Sequence, residues 1–285
     1  MSAQPTVGFF GLGLMGRPMA RNLAAAGFDV RGWNRSPLET ELTVGIPQAA
    51  SFEAAAQSDV LLLILADSPA VGELLERLEP LLVHGQVVLD MGSSSPVDTR
   101  QRAARLAERG VGWVDAPVSG GTEGAAAATL AIMAGGTDED VERVRPVLEA
   151  MGANVVHVGG PAAGHTTKIA NQVIVGLALE AVAEAIALSE AAGLDPRLVQ
   201  QALRGGWADS RILQGQGTRM IDRDWVPGGR VRTLRKDLAM ALALADELGL
   251  ELPHLQSTYE IFDGLLARGD GDLDGAAVYT LRAPK

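Results

Sequence analysis

The hydrophobic pattern of the chain changes once, near residue 164. Before that point short apolar runs such as Val60–Leu65 alternate with segments of helical spacing, and after it the spacing is helical throughout. Continuous apolar runs are typical of strands in a parallel sheet that is buried on both faces. We therefore expect an α/β domain over residues 1–163 and an all-helical domain over residues 164–285.

The longest predicted element is a single helix over Gly164–Gly193. It contains no Pro and one interior glycine, Gly176. The segment Ile169–Leu179 carries no charge, so we expect it to be buried on nearly all sides. Glu180 and Glu184 interrupt the apolar run, which argues against a membrane span. A two-layer monomer could not cover so apolar a helix, and we therefore predict a homodimer or homotetramer.

A glycine-rich turn follows the first predicted strand, Thr6–Phe10, and opens a helix. Its sequence, Gly11-Leu-Gly-Leu-Met-Gly16, has the G-x-G-x-x-G spacing of dinucleotide-binding turns in the strand–turn–helix context that they require. Gly11 allows the tight turn, Gly13 lets the backbone approach a pyrophosphate, and Gly16 lets the helix pack on the strand. The helix N-terminus attracts the phosphates. The predicted cofactor-binding residues of this turn are Gly11, Leu12, Gly13, Leu14, Met15 and Gly16.

The end of the second predicted strand, Phe28–Trp33, indicates which cofactor binds. NAD sites place Asp or Glu there to hold the ribose 2′-hydroxyl, whereas this chain has Asn34-Arg35-Ser36, and Asp29 lies about five residues too early. Arg35 can pair with a 2′-phosphate and stack on the adenine. The sequence therefore favours NADP(H). In the alternative interpretation Arg35 is a solvated surface charge, and NAD(H) is accepted as well.

Two more segments follow strands of the same predicted sheet. Ser93 comes after the strand Val87–Met91, at the edge where open α/β sheets bind ligands, while Ser95 ahead of a proline is explained as a helix cap. Ser119-Gly-Gly121 can form a loop whose N–H groups all face an anion such as a substrate carboxylate. A simple turn explains the same three residues equally well.

Composition narrows the possible partners. The chain has 285 residues, 47% of them apolar, with a net charge of −11, which disfavours nucleic acid. It has no cysteine, so disulfides, thiol chemistry and a cysteine zinc site are excluded, and four scattered histidines indicate no metal. The first residues lack the pattern of a signal peptide. We expect a soluble cytoplasmic protein without nucleic-acid or membrane partners.

Lys168 is the unusual residue of the long helix. A cation in the first turn lies at the positive end of the helix dipole, which is unfavourable by a few tenths to ~1 kcal/mol. Asn171 and Gln172 lie one turn further and can face the same way. A lysine that snorkels to solvent beside two ordinary amides is one interpretation, and a functional cation is the other. The pair Lys236-Asp237 has the same two interpretations, a solvated helix pair or part of a site.

Four segments, in this order, resemble the motifs of the β-hydroxyacid dehydrogenase family. They are Gly8–Met19, Asp115–Gly121, Gly164–Asn171 and Lys236–Leu238. The resemblance covers nearly the whole chain. It implies a Rossmann-type NAD(P)-binding domain, then an all-helical domain like the C-terminal one of 6-phosphogluconate dehydrogenase. It also implies reduction of a small semialdehyde, of the tartronate semialdehyde, glyoxylate or succinate semialdehyde class, or oxidation of the matching hydroxyacid.

The resemblance also implies roles for single residues. Lys168 matches the family's acid/base lysine, and Asn171 would orient it or the substrate. The implied substrate-binding residues are Ser119, Gly120, Gly121, Gln172 and Lys236. The implied cofactor-binding residues, besides the glycine-rich turn and Asn34, Arg35 and Ser36, are Leu65, Ala66, Ser93, Lys236 and Asp237. Gln172 stands where many members have Asn, and Ala66 where Pro is usual, which weakens any inference about the substrate.

Two other functions fit the same predicted fold. In imine reductases built on this fold the family lysine is usually replaced, so Lys168 argues against that activity. A non-catalytic nucleotide-binding module would be expected to have lost Lys168 or Lys236, and this chain has both.

Overall fold

The computed structural model describes residues 4–283 of the chain. The chain forms two compact units that divide after Lys168. This division lies inside the long helix α7, Ala163–Ala191, a few residues beyond the boundary predicted from the sequence.

The first unit alternates strands and helices. Its strands are β1 Val7–Phe10, β2 Val30–Trp33, β3 Val60–Leu63, β4 Val87–Asp90, β5 Gly112–Asp115, β6 Val118–Ser119, β7 Leu130–Gly135 and β8 Gly152–Gly159. Its helices before α7 are α1 Gly16–Ala25, α2 Phe52–Ala56, α3 Ser68–Leu78, α4 Pro96–Ala107, α5 Gly121–Ala126 and α6 Asp138–Glu149.

The eight strands form one mixed sheet. Its order is β2-β1-β3-β4-β5-β7-β6, and β8 also pairs with β7. The first five strands are parallel, as the apolar runs predicted, but β7 runs antiparallel to β5 and β6. A parallel return needs a crossover of a dozen or more residues, and the short connection through α5 does not supply one.

Strand side chains alternate between two cores on opposite faces of the sheet. Phe9 and Leu62 belong to one core, and their neighbours Phe10 and Leu63 belong to the other. All four are fully buried. The prediction that continuous apolar runs form strands covered on both faces is therefore confirmed.

The shortest helices and strand were not predicted from the sequence. Helices α2 and α5 and strand β6 are two to six residues long, too short to show a hydrophobic period. The predicted cap of α4 is confirmed, because the Asp98 N–H donates to Ser95 Oγ at 3.4 Å.

The second unit is helical, as predicted. Beyond its part of α7 it contains α8 Pro196–Leu203, α9 Gly217–Asp222, α10 Val231–Glu247 and α11 Pro253–Ala267, with a 3₁₀ segment at Gly275–Leu281. A π turn at Ile212–Gln216 comes directly before α9. Such a turn leaves no mark in the hydrophobic period.

The predicted burial of the first half of α7 is wrong for a single chain. Leu179, Ala183 and Ile186 enter the core of the second unit, but the Ile174 side chain is 69% exposed. One face packs closely on α10 and α11: a Cβ at Gly176 would lie 2.9 Å from Leu238 Cδ2 and 3.5 Å from Thr258 Cγ2. Helix α7 is long and apolar enough to cross a membrane, so Glu180 and Glu184 do not by themselves exclude a membrane span. The face of α7 that packs on α10 and α11 is typical of the core helix of a folded domain.

Candidate functional site

The glycine-rich turn has the geometry that its sequence predicted. Gly11 has φ +107°, and a Cβ there would lie 2.4 Å from Ile64 O. A Cβ at Gly16 would lie 1.9 Å from Gly11 O, so neither position accepts a side chain. Gly13 has no atom within 4 Å of its Cβ position. Its exposed backbone therefore leaves room for a pyrophosphate, and the turn fits a dinucleotide.

Helix α1 begins at this turn without a side-chain cap. Met15 at the N-cap makes no capping hydrogen bond. Asn34 Oδ1 accepts from the Leu12 N–H at 3.0 Å, which ties the turn to the end of β2. The uncapped N–H groups and the helix dipole are suited to an anion.

The end of β2 borders a cavity of about 210 Å³. Asn34 and Ser36 line it, and Asn34 Nδ2 donates to Ser36 O at 2.8 Å. Arg35 is not among the lining residues. Its Nη1 instead lies 3.1 Å from Glu73 Oε2 on α3, and both side chains are more than two-thirds exposed. An exposed pair of this kind exchanges readily for another anion.

The other predicted cofactor residues of this unit lie where β3 and β4 end. Leu65 and Ser93 are half-buried, and Ala66 is exposed. The segment after β3 and the segment after β4 are in contact, because a Cβ at Gly92 would lie 2.8 Å from Leu65 O. Since β1, β3, β4 and β5 are parallel, these residues share the carboxyl edge of the sheet with the glycine-rich turn.

The predicted Ser119–Gly121 loop is a turn between a strand and a helix. Ser119 ends β6, Gly120 has φ +134°, and Gly121 with φ +62° begins α5. Both glycines are exposed. The positive φ angles explain the two glycines structurally, and a role in substrate binding stays a prediction.

Lys168 lies in the second turn of α7, not in the first. The helix begins at Ala163, so the predicted conflict with the helix dipole is weaker than expected. The start of the helix is fixed instead by the buried carboxylate of Asp115 at the end of β5. Asp115 Oδ1 accepts from the Ala162 N–H at 2.7 Å, and Oδ2 accepts from the His165 N–H at 2.8 Å. Lys168 itself is half-buried.

In the second unit, four of the predicted residues form a chain of contacts. Asn171 Nδ2 donates to Gln172 Oε1 at 2.9 Å, and Gln172 Nε2 donates to Asp237 Oδ2 at 2.6 Å. Lys236 Nζ lies 3.2 Å from Asp237 Oδ1. Asp237 is 1% exposed, so the solvated helix pair considered in the sequence analysis is excluded.

Comparison with known proteins identifies the two parts of the chain as domains of nicotinamide-dependent dehydrogenases. The family model described as the NAD binding domain of 6-phosphogluconate dehydrogenase matches residues 6–159, and that described as NAD-binding of NADP-dependent 3-hydroxyisobutyrate dehydrogenase matches residues 162–282. The 2-hydroxy-3-oxopropionate reductase of Escherichia coli is 42% identical over 280 residues, covering 95% of each chain. The chain belongs to the β-hydroxyacid dehydrogenase family.

Other members of the β-hydroxyacid dehydrogenase family are also similar over most of their length. The NAD-dependent L-serine dehydrogenase of Pseudomonas aeruginosa is 34% identical and covers 98% of this chain. The solved structure of Mycobacterium tuberculosis 3-hydroxyisobutyrate dehydrogenase with L-serine has a TM-score of 0.88 at 31% identity, covering 99% of this chain and 100% of that one. This β-hydroxyacid dehydrogenase is an NAD(P)-dependent oxidoreductase acting on CH–OH groups.

A cluster of buried titratable groups was missed by the sequence analysis. Asp90, Asp115 and His165 are each at most 1% exposed. His165 Nε2 lies 3.8 Å from Asp90 Oδ2, and Nδ1 lies 3.8 Å from Asp115 Oδ2. Nδ1 is also 2.8 Å from Thr99 Oγ1 on α4. A carboxylate at the end of each of two adjacent parallel strands was the available signal.

Proposed function

We propose that this β-hydroxyacid dehydrogenase reduces a small semialdehyde of the tartronate semialdehyde class, with NADPH as the preferred cofactor and Lys168 as the general acid. The relative at 42% identity, named a 2-hydroxy-3-oxopropionate reductase, supports the substrate class. The start of α7 supports the role of Lys168. Asp115 anchors that start to the end of β5, at the carboxyl edge that also carries the glycine-rich turn and Ser93.

Each part of the proposed reaction has a residue suited to it. A nicotinamide cofactor held by the glycine-rich turn would supply the hydride for the aldehyde carbon. Lys168 as an ammonium ion donates a proton to the carbonyl oxygen, so that no free alkoxide is formed. The backbone N–H groups of Gly120 and Gly121 bind the substrate carboxylate. Asn171 is oriented by its donation to Gln172, which leaves its side-chain oxygen as an acceptor.

Lys168→Ala tests the proposed general acid. Turnover of tartronate semialdehyde should fall by about 10²–10⁴-fold, the usual effect of losing a general acid, while NADPH binding is retained. Lys168→Arg is the matched control, because it keeps the positive charge but replaces the ammonium with a guanidinium, which is too weak an acid to donate its proton. Both variants should be similarly slow. A turnover near the wild-type value in either variant would contradict the role of Lys168.

The cofactor preference is tested at Arg35. Arg35→Ala should lower kcat/KM for NADPH by about ten- to a hundredfold relative to NADH, since a charge-assisted contact is worth ~1.5–3 kcal/mol. Glu73→Gln removes the carboxylate that pairs with Arg35 and should keep or increase the preference for NADPH. Equal kcat/KM for the two cofactors in the wild type would refute the proposal.

The substrate is tested by a panel. We expect NADPH oxidation to be fastest with tartronate semialdehyde, and slower with glyoxylate and with succinate semialdehyde. Oxidation of 3-hydroxyisobutyrate should be slower still in the reverse direction. If glyoxylate or succinate semialdehyde is preferred, the reaction class stands but the proposed substrate does not.

A further inference from the structure

The start of α7 rests on three buried ionisable groups from three parts of the first unit. Asp90 ends β4, Asp115 ends β5, and His165 lies in the first turn of the helix. The imidazole lies between the two carboxylates, 3.8 Å from each. Buried charges are costly unless they are paired, so the protonation states of these three buried groups depend on one another. Among residues 4–283 no group of three or more potential ligands is arranged to hold a metal.

Each carboxylate of the cluster also holds the backbone of a predicted site segment. Asp90 accepts from the Gly92 N–H at 3.0 Å and from Ser94 Oγ at 2.8 Å, on either side of Ser93. Asp115 accepts the Ala162 and His165 N–H groups, one turn before Lys168. The cluster thus connects the predicted cofactor turn after β4 with the helix turn that carries Lys168.

Packing around the helix start leaves little freedom to relax. A Cβ at Gly164 would lie 2.3 Å from Met133 O, and one at Gly135 would lie 2.5 Å from Gly164 N. Ala162 has φ +74°, which is rare for a residue with a side chain. Because the backbone is held this closely, a change of charge in the cluster acts through its field and not through a shift of the helix.

In one member of the cluster, Asp115, the pKa is raised toward neutral pH. Burial is the main effect on Asp115, and the nearby Asp90 adds to it, so that the pKa of Asp115 rises to about 7 although two backbone N–H groups act against this. On α4, the Arg102 guanidinium interacts with the Asp90 carboxylate, and burial lowers the pKa of Arg102. The other titratable group on the same helix face is Lys168, three residues after His165.

We propose that Asp90, His165 and Asp115 form a positioning unit for Lys168, whose shared proton sets the pH range in which Lys168 donates. This inference rests on the proposed function, in which Lys168 is the general acid. Three residues along a helix bring side chains within about 5–6 Å. At that distance a change of one charge shifts the pKa of a neighbouring group measurably. Asp115 and His165 act through Lys168 and need not touch the substrate.

Two substitutions in the cluster should affect the pH profile differently. In the direction of reduction, activity falls at alkaline pH as Lys168 loses its proton. Asp115→Asn removes a negative charge that is hydrogen-bonded to the turn of α7 before Lys168, so the alkaline limb of kcat should move to lower pH by about half a unit or more. His165→Asn removes an imidazole that carries no charge once the shared proton has left, so the limb should stay close to its wild-type position. A purely structural role would not distinguish the two variants in this way.

The matched control is His157→Asn. His157 lies on β8, with Nδ1 3.5 Å from Asp138 Oδ1, outside the cluster. The His157→Asn variant should leave the pH profile unchanged.

An NMR titration of the wild-type enzyme does not require any variant to fold. The imidazole signals of His165 should change between pH 6 and 8. Where Asp115→Asn folds, this change should be lost in that variant.

Lys168→Ala, assayed in parallel, separates the two proposals. If Lys168→Ala is inactive while Asp115→Asn folds and keeps the wild-type pH profile, the inference is overturned and the proposed function stands. If Lys168→Ala remains active, the proposed function fails, and the NMR titration alone then decides whether the cluster shares a proton. Signals of His165 that stay constant from pH 6 to 8 would overturn the inference in either case.

Discussion

Helix α7 is held in two different ways along its length. At its start, in the first unit, the fixing atoms are backbone groups and a buried carboxylate: Gly164 packs on backbone oxygens, and Asp115 accepts two N–H groups. In its middle, in the second unit, they are side chains: Gly176 faces the flexible Leu238, and Glu180 pairs with Arg282 at 2.9 Å. The start is suited to precise placement of a group, and the middle to stable packing.

The two buried acids show the same difference. Burial raises the pKa of both Asp115 and Glu180. Glu180 has a guanidinium partner that stays charged, and Arg282 lowers its pKa in part. Asp115 has backbone N–H groups, an imidazole and a second carboxylate around it, none of which is a permanent cation. A proton can therefore be exchanged at the start of the helix, while the middle keeps a fixed charge pair.

The largest effect is expected for alanine at Gly164, with alanine at Gly176 as the comparison. Gly164→Ala should lower the free energy of unfolding by about 3 kcal/mol or more, because the new Cβ would overlap Met133 O and Asp115 O, which belong to the backbone. Gly176→Ala should change it by about 1 kcal/mol at most, since Leu238 can rotate away and alanine favours the helix. Urea denaturation measures both. Equal losses would show that the two parts of α7 are packed alike.

This contrast also explains how much could be predicted from the sequence. The glycine-rich turn, the strands and the helical second half were predicted because local spacing determines them. The roles of Gly11 and Gly16 could be predicted because they depend only on the strand before the turn and the helix after it. Asp115 lies 25 residues after Asp90 and 50 residues before His165, and the pairing of β4 with β5 brings the two carboxylates together. The ends of the two strands were the only signal for the carboxylates, and no local pattern places His165 between them.

The exposed face of α7 could not be predicted for a related reason. An uncharged helical segment indicates that burial is required, but its pattern does not say which positions this chain covers and which are left for the predicted second copy. Similarly, the second turn of α7 rather than the first carries Lys168, because the helix begins at Ala163. Helix boundaries shift by one or two residues without any change in the hydrophobic pattern.

The next largest effect concerns pH. Asp115 has an ordinary pKa of 3.8 when unfolded and about 7 when folded, so the folded state holds the proton more tightly. Its contribution to stability is fully present below pH 4 and is lost as pH rises through about 7. Between those values the wild type should lose up to about 1.4 kcal/mol per pH unit from this group.

Asp115 and Glu180 can be compared by how steeply the free energy of unfolding depends on pH in variants of each. Asp115→Asn should be less stable at pH 5 but should lack this part of the pH dependence in urea titrations at pH 5, 6 and 7. Glu180→Gln should flatten the dependence less, because Arg282 opposes the effect of burial on the pKa of Glu180. A slope unchanged by Asp115→Asn would mean that the buried cluster exchanges no proton in this range.

The smallest effect on folding, but the one that tests assembly, is expected at Ile174. Ile174 and Leu188 are exposed by 69% and 72% and lie about four helical turns apart on one face of α7. We predict that a second copy of the chain covers this face in a homodimer or homotetramer. Ile174→Glu should change the stability of the folded chain by only about 0.5 kcal/mol, as is usual at exposed positions.

Light scattering decides the assembly prediction. At micromolar concentration the wild type should have the mass of two or four chains, and Ile174→Glu the mass of one, with its helical circular dichroism retained. Leu198→Glu on α8 is the matched control, since Leu198 is 63% exposed but lies outside α7, and it should leave the mass unchanged. A wild-type monomer would show that the middle of α7 keeps an apolar face in water. The side-chain packing of that region would then be complete within one chain.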